Sequence, residues 1–132
     1  MEYIKNLLSK NLSLIVKKDS KIIFQSSGEM LHDLLRCIKT HKKEIKNALV
    51  VDKVVGLAAA RLLVFARVKE VYAFIASEPA IKYLQKRNIA IHAKRIVKNI
   101  LNRDKTGICP MERRALNCRS DSEFYKLLST SS

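Results

Sequence analysis

Apolar positions change period several times along the chain, and each change marks an element. Ile4, Leu7 and Leu8 share one face of a short first helix. Leu12-Ser13-Leu14-Ile15-Val16 and Lys21-Ile22-Ile23-Phe24-Gln25 are strand-forming runs joined across Lys17-Lys18-Asp19-Ser20, the pattern of a hairpin. Ser27-Gly28-Glu29 opens a helix in which Leu31, Leu34, Leu35, Ile38 and Ile45 recur at helical spacing, with Lys39, Lys42, Lys43 and Lys46 mainly on the wet side. Ala48-Leu49-Val50-Val51 is a short buried strand. Asp52 then has the side chain of an N-cap for a helix over 53–63. That helix is apolar nearly all round and is therefore enclosed by protein.

Glu70-Val71-Tyr72-Ala73-Phe74-Ile75 is the next strand, Pro79 to Arg87 a helix with proline near its first position, and Ile89 to Ala93 another strand. Lys94 to Arg103 continues that strand into a helical turn. A late helix starts at Pro110 and runs to about Leu116, and Asp121 caps a short one over Ser122 to Leu128, leaving Ser129 to Ser132 as a tail. This order predicts a three-layer α/β/α sandwich around a mixed sheet of about five strands, with a parallel portion covered on both faces and the hairpin as an antiparallel edge.

With 132 residues, 48% of them hydrophobic, the chain is expected to form a single domain over 1–132, and no repeat or linker divides it. No apolar run approaches the roughly 20 residues of a membrane span, and Met1-Glu2-Tyr3-Ile4-Lys5 lacks the pattern of a signal peptide. A soluble, cytoplasmic protein with no membrane partner is expected. Cys37, Cys109 and Cys118 are odd in number and scattered, which argues for reduced thiols. His32, His41 and His92 do not fall at paired ligand spacings, so neither a metal nor a cofactor is expected.

Charge narrows the partners. The excess of 26 Lys and Arg over 12 Asp and Glu gives +14, which implies acidic company: nucleic acid, a small anionic ligand, or no more than a solvated basic surface. Aromatic residues make up only 6% and tryptophan is absent, leaving few platforms on which bases could stack. No oligomeric state is implied.

The run Thr106-Gly107-Ile108-Cys109-Pro110-Met111-Glu112 carries the most chemistry. Gly107 permits a tight turn, Cys109 falls at the N-cap, Pro110 suits the first helical position and Glu112 the third, where it reads as a capping-box carboxylate. A helix start favours a thiolate or a bound anion, which makes Cys109 either a candidate nucleophile or a small N-cap residue. Asp52 likewise serves either as a cap or as a base, and Gly56 either as a close-packing position or as room for a ligand.

Helix, hairpin, helix, then strand–helix units with a motif at the start of the central helix and Cys-Pro at the start of a late one: this order, over most of the chain, resembles the cytidine deaminase-like fold. Asp52-Lys53-Val54-Val55-Gly56 with Gly107-Ile108-Cys109-Pro110-Met111-Glu112 is similar to a small uncharacterised prokaryotic family that has this fold without its zinc. Zinc deaminases open the central helix with His-Ala-Glu or Cys-Ala-Glu and the later one with Pro-Cys-x-x-Cys. Here the corresponding positions read Val51-Asp52-Lys53 and, after Pro110, Met111 with Arg113 or Arg114, and neither a thioether nor a guanidinium replaces a thiolate on zinc.

The resemblance implies that the two helix starts converge, placing Asp52 and Lys53 opposite Cys109 in a crevice at one end of the sheet. The expected function is a zinc-free deaminase-like domain that binds a small anionic or nucleotide-like ligand through Lys53, Gly56, Gly107 and Glu112, with Cys109 and Asp52 as catalytic candidates. The alternatives are a non-sequence-specific nucleic-acid-binding module and an interaction scaffold.

Overall fold

The computed structural model describes residues 2–28, 30–101, 107 and 109–130; Glu29, the polar stretch 102–106 and Ile108 lie outside them. Helix α1 (Glu2–Ser9) leads into a hairpin of β1 (Leu14–Lys18) and β2 (Lys21–Ser26). Asp19 and Ser20 make its two-residue turn, both with positive φ (52° and 68°), the geometry that matches strand twist. Then come α2 (Met30–Thr40), β3 (Leu49–Val55), α3 (Leu57–Ala66), β4 (Glu70–Ser77), α4 (Glu78–Lys86), β5 (Ala90–Val97), α5 (Pro110–Asn117) and α6 (Asp121–Thr130).

The sheet order is β2-β1-β3-β4-β5. β1 runs antiparallel to β2 and β3, while β3, β4 and β5 are parallel. This is the mixed five-stranded α/β architecture that the sequence predicts.

Its layers are unequal. Helices α2 to α6 gather on one face, where Leu34, Ile38, Leu62, Leu63, Leu84 and Phe124 close a continuous core. On the other face, among the described residues, α1 alone buries Ile4 and Leu7 against Ile15 and Val51. A helix of eight residues is only about 12 Å long, so it covers a strip of the sheet, not the whole width expected.

Several boundaries differ from the sequence reading. α2 ends at Thr40, and Ile45 is buried from a turn whose N–H bonds the His41 carbonyl at 3.0 Å. The strand expected to end at Val51 continues to Val55, because Asp52 pairs with Leu14 on one side and Ala73 on the other, and Val54 and Val55 favour extended backbone. Asp52 is therefore no helix cap, and Gly56 is the N-cap of α3. Asp121 is no cap either. Ser120 accepts the Glu123 N–H at 3.1 Å, which frees Asp121 to bond the buried Arg61 at 3.0 Å and the Tyr83 hydroxyl. Arg61 also donates to the carbonyls of Ala115 and Cys118, tying the α5–α6 corner to α3. The expected tail lies partly within α6, which runs to Thr130.

Candidate functional site

A cavity of about 620 Å³ opens at the C-terminal end of β3, between the α1–β1 connection, the start of α2 and the start of α5. Asp52, Lys53, Gly56, Cys109 and Glu112 all line it. Gly107 does not: the nearest atom to a side chain there would be an Arg113 guanidinium nitrogen at 3.7 Å.

Strand alternation separates Asp52 from its neighbour. Asp52 is 1% exposed and has one carboxylate oxygen, Oδ1, with no hydrogen-bond partner. Burial pushes its carboxyl up to about 8; the backbone N–H groups of Lys53 and Val54 oppose this, and the nearby Asp33 adds to it. Near neutral pH the group is a protonated acid that can donate as well as accept. Lys53 shares the pleat of Val51, which packs against α1, so its exposed side chain belongs to the other face of the sheet and it meets the cavity only at the rim. The placement of Lys53 on the first turn of a helix is thereby corrected.

Glu112 also departs from expectation. It closes no capping box on its own helix; the Cys109 N–H donates instead to the Ile100 carbonyl at 3.0 Å. Its two carboxylate oxygens accept the N–H groups of Leu57 and Ala58, each at 2.7 Å, so it caps α3 from α5. The resulting negative charge sits on a helix start, where the dipole favours it. Gly56 makes room: a β-carbon there would press on the Glu112 carboxylate and lie 2.7 Å from Ile100 Cγ1. The close approach at Gly56 is thus by a carboxylate of the protein itself.

Cys109 is the N-cap of α5 and makes no side-chain cap bond, and Pro110 follows in the first turn, as the sequence predicts. Cys109 is partly exposed and free of any disulfide. Cys37, in contrast, is fully buried, which pushes its thiol up to about 12.

A third carboxylate enters the picture unannounced by the sequence. Asp33 is 6% exposed and accepts the Ser26 hydroxyl at 2.6 Å, while the Ser13 hydroxyl, 3.5 Å away, also reaches the Ser26 and Gly28 carbonyls. In sequence Asp33 reads only as an acidic residue in the first turn of a helix, an ordinary dipole complement. Only the hairpin, by bringing Ser13 and Ser26 together, turns it into part of the cavity's support.

The donors at the two helix starts do not fit zinc. They are one thiol and one carboxylate, and both oxygens of that carboxylate already hold backbone N–H groups. Among the described residues no cluster of three or more His, Cys, Asp or Glu side chains could hold a metal ion.

Solved structures place the fold among known ones. A DUF1893 family protein from Thermotoga maritima superposes with a TM-score of 0.88 at 24% identity, over 99% of this chain and 88% of that one. A diaminohydroxyphosphoribosylaminopyrimidine deaminase/5-amino-6-(5-phosphoribosylamino)uracil reductase from the same organism gives 0.55 at 9% identity, over 70% of this chain and 36% of the other. RibD of Acinetobacter baumannii gives 0.51 at 20%, over 91% and 34%. The chain thus spans about a third of those two longer proteins, and the likeness to them is one of fold, the deaminase-like fold that the sequence resembles. No curated protein matches. A family model described as a domain of unknown function, DUF1893, matches residues 2–131, and the chain belongs to that family.

Proposed function

We propose that the cavity binds a small anionic, nucleotide-like ligand, with a polar ring edge against Asp52 and the charged group towards Lys53 and His32 at the rim. The observation that carries this reading is the buried Asp52 carboxyl, which borders a cavity of about 620 Å³ and whose Oδ1 has no hydrogen-bond partner. A buried polar atom without a partner costs stability, and a ligand that satisfies it recovers that cost. The volume lies in the range of small-molecule sites. A protonated carboxyl presents one donor and one acceptor side by side, which complements an amide-like edge of a heterocycle. The Lys53 ammonium at the rim suits a phosphate or carboxylate, and the His32 ring adds a hydrogen-bonding edge. Cys109, whose thiol caps nothing, is the candidate for chemistry on a ligand held there.

The test is thermal stabilisation and calorimetry with inorganic phosphate, nucleosides and nucleoside monophosphates between about pH 6 and 9. Binding of at least one nucleotide is expected, weakening as pH rises through 8 in the wild type and losing that dependence in Asp52→Asn. Lys53→Ala should weaken nucleotides more than nucleosides. A panel that never stabilises the wild type, or does so equally in both variants, overturns the proposal.

A further inference from the structure

The face of the sheet that α1 leaves open carries its own pattern. Tyr72 and His92 are paired across β4 and β5 and their rings stack with centroids 4.6 Å apart, while Tyr3 of α1 lies 4.8 Å from Tyr72 on the other side. The chain has four tyrosines and four phenylalanines, and Tyr3, Tyr72 and Phe74 fall together on this one face. Lys94 shares the pleat of His92 and is exposed. Among the described elements, β5 packs on β4 and, from the opposite face, on α4. Next to Tyr3 opens a groove of about 560 Å³ to which Lys17, Lys18 and Lys69 contribute, together with the acids Asp19 and Glu70. Lys17 Nζ also lies 5.4 Å from the Tyr3 ring centre, and Glu70 is 3.6 Å from His92 Nε2.

We propose that this face binds single-stranded nucleic acid without sequence preference, with bases stacking outward from the His92 end of the aromatic row and phosphates lying along Lys94 and the lysine groove. Stacking is indifferent to base identity, and lysines on a flexible stem neutralise phosphate without reading it. A duplex hides its base faces and has no use for the row. The surface is separate from the cavity, which opens where α2 and α5 begin, so the two proposals stand or fall independently.

The experiment is fluorescence anisotropy of a labelled single-stranded oligonucleotide of about ten nucleotides, RNA and DNA in turn, against the same sequence as a duplex, in a salt series. Preference for the single strand is expected, with a log–log salt slope of about 0.7 for each lysine engaged. His92→Ala and Lys94→Glu should each weaken binding about fivefold or more, whereas Lys82→Glu, the same charge change on exposed α4, should cost about twofold at most because of screening. No binding at low salt, equal loss from Lys82→Glu and Lys94→Glu, preference for the duplex, or a dimer that dissociates on Lys94→Glu would each overturn the proposal.

Discussion

Asp52 keeps its proton because the sheet, the start of α2 and α5 remove water from around it and nothing donates to its Oδ1. The folded-state value of about 8 stands against an ordinary 3.8, so between those two the folded chain holds a proton that the unfolded chain has released. Stability therefore falls as pH rises through that window, by up to ~1.4 kcal/mol per unit from this group, and the loss is complete above it. Asn carries no such proton. In melts at successive pH values, Asp52→Asn should gain on the wild type steadily from about pH 5 to 8, and a constant difference would show that the carboxyl ionises freely. Sequence placed this residue in the site and missed its environment. A lone aspartate between Val51 and Lys53 looks like punctuation between strand and helix, and only pairing of the strand on both sides buries it.

At the scale of elements, the central helix is held at its start by a side chain from another helix. Gly56 has φ −97° and ψ −173°, ordinary extended backbone, so its glycine is needed for the space that Glu112 fills and not for conformation. Glu112→Gln keeps the shape but offers one acceptor where two N–H groups need two, and its amide would face a donor. A loss of about 1–3 kcal/mol is expected, read as a lower midpoint in urea with an unchanged slope. The order and type of the elements were legible because strand and helix differ in period. Boundaries were less so: runs such as Val50-Val51 followed by Val54-Val55 satisfy a strand or a buried helix equally, and pairing with β1 and β4 decides. Glu112 was legible as a cap, but the sequence could not say for which helix.

For the whole molecule, +14 is a load that folding concentrates. Few pairs relieve it: among the described residues the ion pairs between full charges are those of Asp33 with Arg36 and of Asp121 with Arg61 and Arg87. Screening of the remaining repulsion should stabilise the fold, so the melting temperature is expected to rise as sodium chloride increases from low to about physiological strength. A fall would mean that the few pairs outweigh the net repulsion. Composition alone shows this charge but not its distribution, since alternation along β5 and the shortness of α1 decide which lysines share a face with the aromatic row.

The bonds from Glu112 to Leu57 and Ala58 span 55 and 54 positions of chain, and this separation has a consequence for how the protein comes into being. During synthesis the central helix and all five strands emerge well before the carboxylate that completes the helix start. Until then two amides at the centre of the molecule have only water to bond, and the core around them stays hydrated. Closing so long a loop comes late and slowly, so the cavity takes its final form near the end of folding, when α5 docks and seals the side on which Cys109 lies.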